Sequence, residues 1–338
     1  MTTHEFYMKR CIELAKNGLG TTYPNPLVGS VIVHDDKIIG EGWHKKAGEP
    51  HAEVNAVNSV KDKTLLKEAT IYVSLEPCSH FGKTPPCCDL IIANEIPNVV
   101  VGTVDPFAKV AGNGIKKLVE SGKNVTVGIL EDECNELNKR FFTFHQKQRP
   151  YIILKWAETA DGFISPISKE EKSPVWITNP YSRQLVHKWR TEEQAILVGT
   201  NTVLDDNPKL DARDFSGNNP IRIVLDKSGK ISENYHVKNN SQKTIFITES
   251  ENFISTENCI YENAIFDIHL ISSICDILYK NNIQSVIIEG GSKTLQSFID
   301  ANLWDEARVF KGDTTFQNGI LAPNISGNPV AGFDIMND

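Results

Sequence analysis

The fold prediction depends on His51-Ala52-Glu53 and on Pro77-Cys78-Ser79-His80-Phe81-Gly82-Lys83-Thr84-Pro85-Pro86-Cys87. This stretch supplies one imidazole and two thiolates, a donor set that suits zinc, which is a borderline-soft ion. Three protein ligands leave the fourth position to water, which is how catalytic zinc differs from structural zinc. We therefore predict a catalytic zinc site formed by His51, Cys78 and Cys87.

Glu53 lies two residues after the predicted histidine ligand. It is poorly placed to be a fourth ligand and well placed to move protons. His-x-Glu followed by Pro-Cys and a second Cys is the signature of zinc-dependent nucleobase deaminases. In that chemistry the metal lowers the pKa of its bound water, and the carboxylate carries the proton to the departing nitrogen. Glu53 is therefore the predicted catalytic acid and base.

Each of these residues has a simpler interpretation when it is taken alone. His51 by itself is more often an ordinary residue at a helix start, and a single Cys is more often a small buried apolar residue. The conjunction of His-x-Glu with two Cys on a Gly/Pro-rich loop favours the metal site. Cys88 leaves an alternative open, because a site that also bound Cys88 would be closed and structural. The chain would then be a non-catalytic, zinc-stabilised binding protein.

Eight residues separate Cys78 from Cys87, whereas cytidine and nucleic-acid deaminases usually have two. This long loop, together with Asn25 in Tyr-Pro-Asn-Pro-Leu-Val-Gly and with His44, resembles the bifunctional pyrimidine deaminase/reductase family of riboflavin biosynthesis. The resemblance covers most of the chain. It implies an α/β fold in which a cytidine-deaminase-like three-layer N-terminal domain precedes a dihydrofolate-reductase-like C-terminal domain. It also implies that the deaminase substrate is bound by Asn25, His44, His80 and Lys83.

Length and composition agree with two globular domains. A chain of 338 residues is long enough to form two cores. The net charge of −8 argues against a nucleic-acid partner, although a few local arginines can hold a phosphate in an acidic protein. The seven cysteines form no disulfide pattern, which favours a reducing cytoplasm. No stretch has the pattern of a signal peptide or a membrane span, so no membrane partner is expected.

Strand and helix patterns alternate along the first half of the chain, which predicts a mixed three-layer domain. A helix over 51–60 carries Glu53 in its first turn, and a strand over 70–75 delivers Cys78 at its carboxyl end. Ligands commonly bind at that end of strands in α/β sheets. The apolar stripe through Asn138 predicts a single regular helix over 131–148.

Arg149-Pro150 follows this helix, and proline disfavours helix at the residue before it. We therefore place a deaminase domain at residues 1–149 and a reductase domain at residues 150–338. Earlier in the chain, the two prolines that flank Asn25 restrict their neighbours, so the sequence there predicts a rigid turn.

The second half begins with an apolar strand over 151–157 that carries Lys155. This strand and the following segment through Asp161 resemble the first strand of the reductase half of the same family. The segment 199–213 is the second match, since Gly, Thr, Asp, Pro, Leu and Arg recur there at the family's offsets. Arg190 and Arg213 carry planar guanidinium groups suited to a phosphate, although a lone Arg is more often a surface charge.

An apolar strand over 285–288 ends in Glu289-Gly290-Gly291-Ser292 and is followed by a helix. Glycines between strand and helix let backbone N–H groups approach a diphosphate, and an ordinary tight turn is the alternative. The sequence has no Gly-x-Gly-x-x-Gly, so no Rossmann fold is predicted. The resemblance implies NADPH, bound by Lys155, Asp161, Trp176, Thr202, Asp206, Gly290, Gly291 and Ser292. It implies a reductase substrate bound by Arg190, Leu210, Arg213 and Glu289.

The resemblance predicts two consecutive reactions of riboflavin biosynthesis. The first is zinc-dependent hydrolytic deamination of 2,5-diamino-6-(5-phosphoribosylamino)pyrimidin-4(3H)-one, and the second is NADPH-dependent reduction of the ribosyl group to ribityl. The expected partner is this small phosphorylated pyrimidine, and a homo-oligomer is left open. The alternative is a nucleic-acid or nucleoside deaminase with an accessory domain, which the loop length and the acidic balance oppose. Beyond Asp305-Glu306 the chain is less apolar than expected of the corresponding strand.

Overall fold

The structure of the protein, a computed structural model, describes residues 1–81, 85–106, 111–168 and 175–335. The chain divides into two compact units, Met1–Gln148 and Arg149–Asp338. Each unit has its own sheet and its own apolar core. Within the described ranges, no helix combines the length and the apolar character needed to cross a membrane.

The first unit alternates strands and helices. Its strands are β1 (Gly29–His34), β2 (Lys37–Trp43), β3 (Thr70–Leu75), β4 (Asn98–Thr103) and β5 (Asn124–Val127). Its α-helices are α1 (Thr3–Ala15), α2 (Ala52–Ser59), α3 (Cys87–Ala93), α4 (Asn113–Glu120), α5 (Glu131–Leu137) and α6 (Lys139–Lys147). Short 3₁₀ turns cover Lys16–Gly18 and Lys63–Glu68.

The five strands lie in the order β2-β1-β3-β4-β5. β1 is antiparallel to both β2 and β3, whereas β3, β4 and β5 are parallel. Val31 and Tyr72 pack with α1 on one face, and their neighbours Ile32 and Ile71 pack with α2 and α3 on the other. Alternate residues of a strand face opposite sides, so the sheet is covered twice. This confirms the predicted three-layer domain.

The predicted single helix over 131–148 is wrong. It is two helices, α5 and α6, which meet at Asn138 with φ −104° and ψ 20°. The side chain of Asn138 hydrogen-bonds the backbone of Leu27 instead of facing solvent. Asn is a weak helix former, and at the break its side chain satisfies the buried backbone groups of Leu27.

The second unit begins with β6 and has a second set of strands and helices. Its strands are β6 (Tyr151–Glu158), β7 (Phe163–Ser165), β8 (Ala195–Gly199), β9 (Ile221–Leu225), β10 (Thr244–Thr248), β11 (Cys259–Asn263), β12 (Ser285–Ile288), β13 (Glu306–Lys311) and β14 (Ile320–Leu321). Its α-helices are α7 (Pro180–Glu192), α8 (Thr200–Asp206), α9 (Leu270–Lys280) and α10 (Ser292–Asp300). A 3₁₀ turn covers His236–Lys238.

Seven of these strands form one sheet in the order β11-β10-β9-β8-β12-β6-β13, and all neighbouring pairs are parallel. Ile223 packs with α9 and α10 on one face, and Val224 packs with Val203 of α8 on the other. Parallel sheets are normally covered on both faces. The predicted α/β fold of this half is confirmed.

The polar last strand of this sheet lies at its edge. β13 pairs with β6, and Asp305 before it accepts hydrogen bonds from Arg149 at 2.5 and 2.7 Å and from the Ile152 backbone at 2.9 Å. Charged side chains on an edge strand discourage pairing with other chains. The edge position therefore explains why this segment is less apolar than expected.

Candidate active site

Three segments of the first unit bring the predicted zinc ligands together. His51 is the N-terminal cap of α2, Cys78 follows β3, and Cys87 is the first residue of α3. His51 Nδ1 lies 3.6 Å from Cys78 Sγ and 3.4 Å from Cys87 Sγ, and the three ligand atoms lie within 4.8 Å of one another. One imidazole nitrogen and two sulfurs at this spacing fit a tetrahedral zinc ion.

The electrostatics of the three side chains favour an ionised sulfur. A hydrogen bond from Cys87 and one from His51 lower the pKa of the Cys78 thiol, and the Cys87 backbone N–H donates to Cys78 Sγ at 3.3 Å. Cys78 in turn raises the pKa of His51. The thiolate is the form of cysteine that binds a metal, so Cys78 is prepared for a cation, whereas the hydrogen bond to Cys78 and burial raise the pKa of the Cys87 thiol.

Glu53 lies in the first turn of α2 and is only 3% exposed. Burial, assisted by the charge of Cys78, raises the pKa of Glu53 to about 7. A carboxyl group that titrates near neutrality can both accept and donate a proton. Glu53 therefore has the titration behaviour that a proton carrier needs, and this role stays a prediction.

Cys88 points away from the three ligands. It is fully buried, and its Sγ donates to the backbone oxygens of Pro77 at 3.3 Å and Gly114 at 3.5 Å. Burial raises the pKa of the Cys88 thiol to about 12. Cys88 packs with the apolar core and lies outside the group of three ligand candidates. This position does not match the alternative in which Cys88 is a fourth ligand that closes the site.

Asn25 and His44 lie together beside the ligand set. Asn25 Nδ2 is 3.0 Å from His44 Nε2, and the His44 ring centroid is 5.4 Å from that of His51. Burial lowers the pKa of His44, which favours the neutral ring. Since Nδ1 lies 3.2 Å from the Pro50 carbonyl oxygen, the proton belongs on Nδ1 and Nε2 accepts from Asn25. His80 is exposed on the loop after Cys78, and Lys83 lies outside the described residues.

Glu76 is a structural contributor that the sequence analysis missed. It is 4% exposed, and its carboxylate accepts hydrogen bonds from four backbone N–H groups, those of Asp105 (3.3 Å), Gly112 (2.9 Å), Gly114 (2.8 Å) and Ile115 (3.2 Å). A Cβ atom at Gly114 would lie 2.1 Å from the Pro77 carbonyl oxygen, so only glycine fits there. The contact joins the segment that carries Cys78 to the start of α4. An acidic residue directly after an apolar strand is the signal that could have identified it.

The second unit contains a cleft of about 840 Å³ at the carboxyl ends of β8 and β12. This volume lies in the usual range for small-molecule sites. Ten of the twelve residues predicted for the reductase half line it, namely Lys155, Trp176, Arg190, Thr202, Asp206, Leu210, Arg213, Glu289, Gly291 and Ser292. Asp161 and Gly290 do not.

A buried ion network lies in this cleft. Arg190 Nε and Nη2 donate to the two carboxylate oxygens of Glu289 at 3.1 and 2.7 Å, and Nη1 donates to the Asp211 carbonyl at 2.9 Å. Burial would raise the pKa of Glu289, but Arg190 and Lys155 outweigh it and hold that pKa at about 2. Burial lowers the pKa of Lys155. Three N–H groups of Arg190 are thus already bonded within the protein.

Arg213 differs from Arg190 in its exposure. Its side chain is 44% exposed, and its Nη1 lies 2.6 Å from Asp211 Oδ1. Trp176 is also exposed, and the Arg183 guanidinium carbon lies 4.3 Å above its ring. These side chains form the solvent-facing part of the cleft lining.

The glycine turn after β12 is shaped by close packing. A Cβ atom at Gly290 would lie 2.9 Å from Val198 Cα, and Gly291 has φ 65°, a conformation that favours glycine. Gly290 thus brings the turn against β8, while Gly291 and Ser292 face the cleft. α10 begins at Ser292, so backbone N–H groups of its first turn point toward the same space.

Asp161 lies away from the cleft lining. Its carboxylate accepts from the Thr159 hydroxyl at 2.6 Å and from the backbone N–H groups of Phe316 and Gln317 at 3.1 and 2.8 Å. These bonds lower the pKa of Asp161. The contacts connect the turn after β6 to the segment before β14, and a role in cofactor binding stays a prediction.

His187 is a cleft residue that the sequence analysis missed. It is 4% exposed, and its Nε2 lies 3.2 Å from Asp214 Oδ2. Its Nδ1 is buried and has no hydrogen-bond partner among the described residues. Burial and the nearby Arg190 and Arg213 lower the pKa of His187. A lone His on a helix gives no sequence signal that separates this position from a surface one.

Comparison with known families covers both units. The cytidine and deoxycytidylate deaminase zinc-binding region matches residues 1–103. The RibD C-terminal domain matches residues 150–314. The first matched range contains the three metal-ligand candidates, and the second contains the cleft residues apart from Ile320.

Whole-chain relatives carry the same name. The riboflavin biosynthesis protein RibD of Aquifex aeolicus is 41% identical over 95% of this chain and 87% of its own length. That of Escherichia coli is 35% identical over 97% of this chain and 90% of its own. The structure is similar to a diaminohydroxyphosphoribosylaminopyrimidine deaminase/5-amino-6-(5-phosphoribosylamino)uracil reductase from Thermotoga maritima, with a TM-score of 0.87, 40% identity, and coverage of 97% of this chain and 93% of that one. RibD of Acinetobacter baumannii gives a TM-score of 0.86 at 32% identity, with coverage of 99% and 92%.

Proposed function

Because the chain belongs to the RibD family of riboflavin biosynthesis proteins, we propose that residues 1–149 form its deaminase domain and residues 150–338 its reductase domain. The chain is a bifunctional enzyme that uses zinc for deamination and NADPH for reduction. The alternatives, a nucleic-acid deaminase with an accessory domain or a non-catalytic zinc protein, fit these matches less well.

The proposed substrate of the first domain is 2,5-diamino-6-(5-phosphoribosylamino)pyrimidin-4(3H)-one. Zinc held by His51, Cys78 and Cys87 would supply Lewis acidity and lower the pKa of a bound water. Glu53 takes a proton from the attacking water and delivers one to the departing 2-amino nitrogen. The carbon–nitrogen bond breaks, a carbonyl takes its place, and ammonia leaves.

Asn25 and His44 are proposed to orient the pyrimidine ring beside Glu53. Both have fixed positions, since the Asn25 amide and the neutral His44 ring bond to each other and His44 also bonds the Pro50 carbonyl. Orientation by preformed contacts reduces the entropic part of the barrier. His80 and Lys83 are proposed as further substrate contacts from the long loop.

The observation that carries the deaminase proposal is the triangle of ligand atoms next to a buried carboxyl group. Three donors of the right chemistry lie within 4.8 Å of one another, and Glu53 stands in the first turn of α2, two residues after the histidine that caps this helix. A structural zinc site would not require a buried proton carrier beside a three-ligand set.

The second domain is proposed to bind NADPH and the deaminated intermediate in its cleft. NADPH supplies a hydride to the ribosyl carbon that becomes the ribityl CH₂. The glycine turn, through Gly291 and Ser292, and Thr202 at the start of α8 are the proposed cofactor contacts. Arg213 is the better candidate for direct contact with the substrate phosphate, because Arg190 is already held by Glu289.

We propose a cytoplasmic location and a small-molecule partner. All seven cysteines are free thiols, and the two sulfur ligands must remain reduced to bind a metal. The net charge of −8 opposes a nucleic-acid partner. Assembly into a homo-oligomer stays a prediction.

The test is a coupled assay on the purified full chain. We expect ammonia release from the diaminopyrimidine substrate without NADPH, and NADPH oxidation only after deamination. Metal analysis of the same sample should give about one zinc per chain. Ammonia release that persists in the chelated, zinc-free protein would contradict the proposed deaminase site.

A further inference from the structure

The side chain of Asn138 bonds to both backbone groups of Leu27, a residue 111 positions earlier in the chain. The Leu27 N–H donates to Asn138 Oδ1 at 2.8 Å, and Asn138 Nδ2 donates to the Leu27 carbonyl at 2.9 Å. Asn138 is 2% exposed and Leu27 is 7% exposed. The paired bonds are therefore shielded from water and fix the backbone at one residue.

Leu27 needs these partners because it lies before the sheet ladder begins. β1 first pairs at Gly29 with β2 and at Ser30 with β3. Buried backbone groups are almost always hydrogen-bonded. The side-chain amide of Asn138 makes the two backbone hydrogen bonds that a neighbouring strand would otherwise make with Leu27.

The fixed residue is the end of the loop that carries Asn25. Only Pro26 separates Asn25 from Leu27, and the Asn25 N–H is bonded to the Thr22 carbonyl at 2.7 Å. The next residue, Val28, accepts a hydrogen bond from the His44 N–H at 3.0 Å. The position of Leu27 thus sets where Asn25 and His44 stand relative to His51.

The helix break at Asn138 is the structural consequence of this contact. The stripe over 131–148 predicts a continuous helix, yet the backbone leaves helical geometry at the residue whose side chain reaches Leu27. We infer that Asn138 is a positioning residue for the deaminase substrate, acting through the Leu27 backbone on Asn25 and His44. This inference rests on the proposed function, since it takes Asn25 and His44 as substrate contacts.

The experiment compares Asn138→Ala and Asn138→Asp with the parent in the full chain. Alanine removes both bonds, and aspartate keeps the acceptor for the Leu27 N–H while losing the donor to its carbonyl. Asn135→Ala is the matched control, because Asn135 lies on the same helix pair and bonds the Thr103 hydroxyl at 2.8 Å instead of Leu27. Asn25→Ala and His44→Ala report separately whether those side chains contact the substrate.

We expect Asn138→Ala to raise the KM for ammonia release by about tenfold, a factor equivalent to about 1.4 kcal/mol. Asn138→Asp should raise it as well, and Asn135→Ala should not. Zinc content, and NADPH oxidation with the deaminated intermediate, should match the parent in all three. Zinc content shows that the first unit of each variant is folded, and the second activity shows the same for the second unit.

An unchanged KM in both Asn138 variants, while Asn25→Ala or His44→Ala raises it, would overturn the inference and leave the proposed function intact. Loss of zinc or of both activities from both Asn138 variants would also overturn it, because Asn138 would then hold the whole unit together. If neither Asn25→Ala nor His44→Ala changes KM, the proposed contacts are wrong, and the positioning role, which acts through them, falls with them.

Discussion

At the scale of single residues, the protonation of a buried side chain depends on which charged groups lie next to it. Glu53 and Cys78 lie beside His51. Both raise the pKa of His51, and Cys78 also raises the pKa of Glu53. Glu289 is held ionised in a buried site because Arg190 and Lys155 lie next to it. The same type of carboxyl group therefore has a raised pKa in one unit, where it is the proposed proton carrier, and a lowered pKa in the other, where it is a fixed anion.

Glu53→Gln tests the proton carrier. The substitution keeps the size of the side chain and removes its titration, so zinc should remain bound while ammonia release falls by roughly 10²-fold or more. Metal analysis and kcat for deamination are the measurements. Near-normal turnover in a variant with full zinc content would exclude Glu53 from this role.

The adjacent cysteines provide a matched pair for the ligand assignment. Cys87→Ser should lose zinc, because a serine hydroxyl is a poor substitute for thiolate at this ion. Cys88→Ser should keep zinc, since Cys88 Sγ bonds two carbonyl oxygens away from the site. Metal content of the two purified variants decides the matter, and the reverse pattern would exchange the two assignments.

Glu289→Gln should destabilise the second domain at neutral pH. The pKa of Glu289 is lowered from 4.5 to about 2, so its ionisation contributes stability above about pH 4.5 that is lost as the pH falls toward 2. The shift corresponds to about 3 kcal/mol of unfolding free energy at pH 7. The variant should lose about this amount and show a flatter pH dependence below pH 4.5.

Tryptophan fluorescence during denaturant unfolding is a suitable measurement, because four of the five tryptophans lie in the second unit. Glu257→Gln, at an exposed position, is the control and should change little. Equal stability of Glu289→Gln and the parent at pH 7 would show that the ion network contributes nothing net.

At the scale of elements, the cleft depends on loops that are held by side chains from elsewhere. The segment after α8 includes Leu210, whose φ is 54°, and Asn207, whose φ is 41°. Arg222, which is 1% exposed, donates to the Lys209 carbonyl at 2.9 Å and the His236 carbonyl at 3.0 Å. Such contacts fix the conformation of a loop whose backbone is not hydrogen-bonded to a neighbouring strand.

Arg222→Met should therefore disturb the loop as well as the fold. It removes the donors to two carbonyl groups, each of which costs about 1–3 kcal/mol when left buried and unpaired. We expect lower stability of the second domain and a higher KM for the deaminated intermediate, with ammonia release unchanged. Lys230→Met at an exposed position is the control. An unaltered KM would mean that the loop holds its conformation without Arg222.

At the scale of the whole molecule, two compact units carry separate sheets and separate cores. The metal-ligand candidates all belong to the first unit, and the residues of the described cleft all belong to the second. The two chemistries should therefore respond independently to substitution.

Glu53→Gln should still oxidise NADPH when it is given the deaminated intermediate, and Arg213→Ala should keep its ammonia release. Loss of a charge-assisted phosphate contact at Arg213 should weaken kcat/KM of the reductase by about 1.5–3 kcal/mol. Steady-state kinetics of both reactions on both variants test this. Wild-type reduction by Arg213→Ala would remove support for the phosphate contact, and loss of both activities from either variant would argue for one shared site.

The sequence by itself determined the chemistry of the metal site and the fold class. Three local patterns carry this information: the ligand types, the two-residue spacing of Glu53 from His51, and the alternation of strands and helices. Local patterns can be read directly from the sequence. Ten of the twelve residues that the family resemblance assigned to the reductase site line one cleft, because the resemblance follows the chain segment by segment. Only the tertiary structure decided that Cys88 faces the core, that Glu76 anchors the loop after β3, that Arg190 pairs with Glu289, and that Asn138 breaks a helix to reach Leu27. These contacts join residues distant in the chain, and their energy comes from satisfying buried polar groups, which leaves no periodic trace in the sequence.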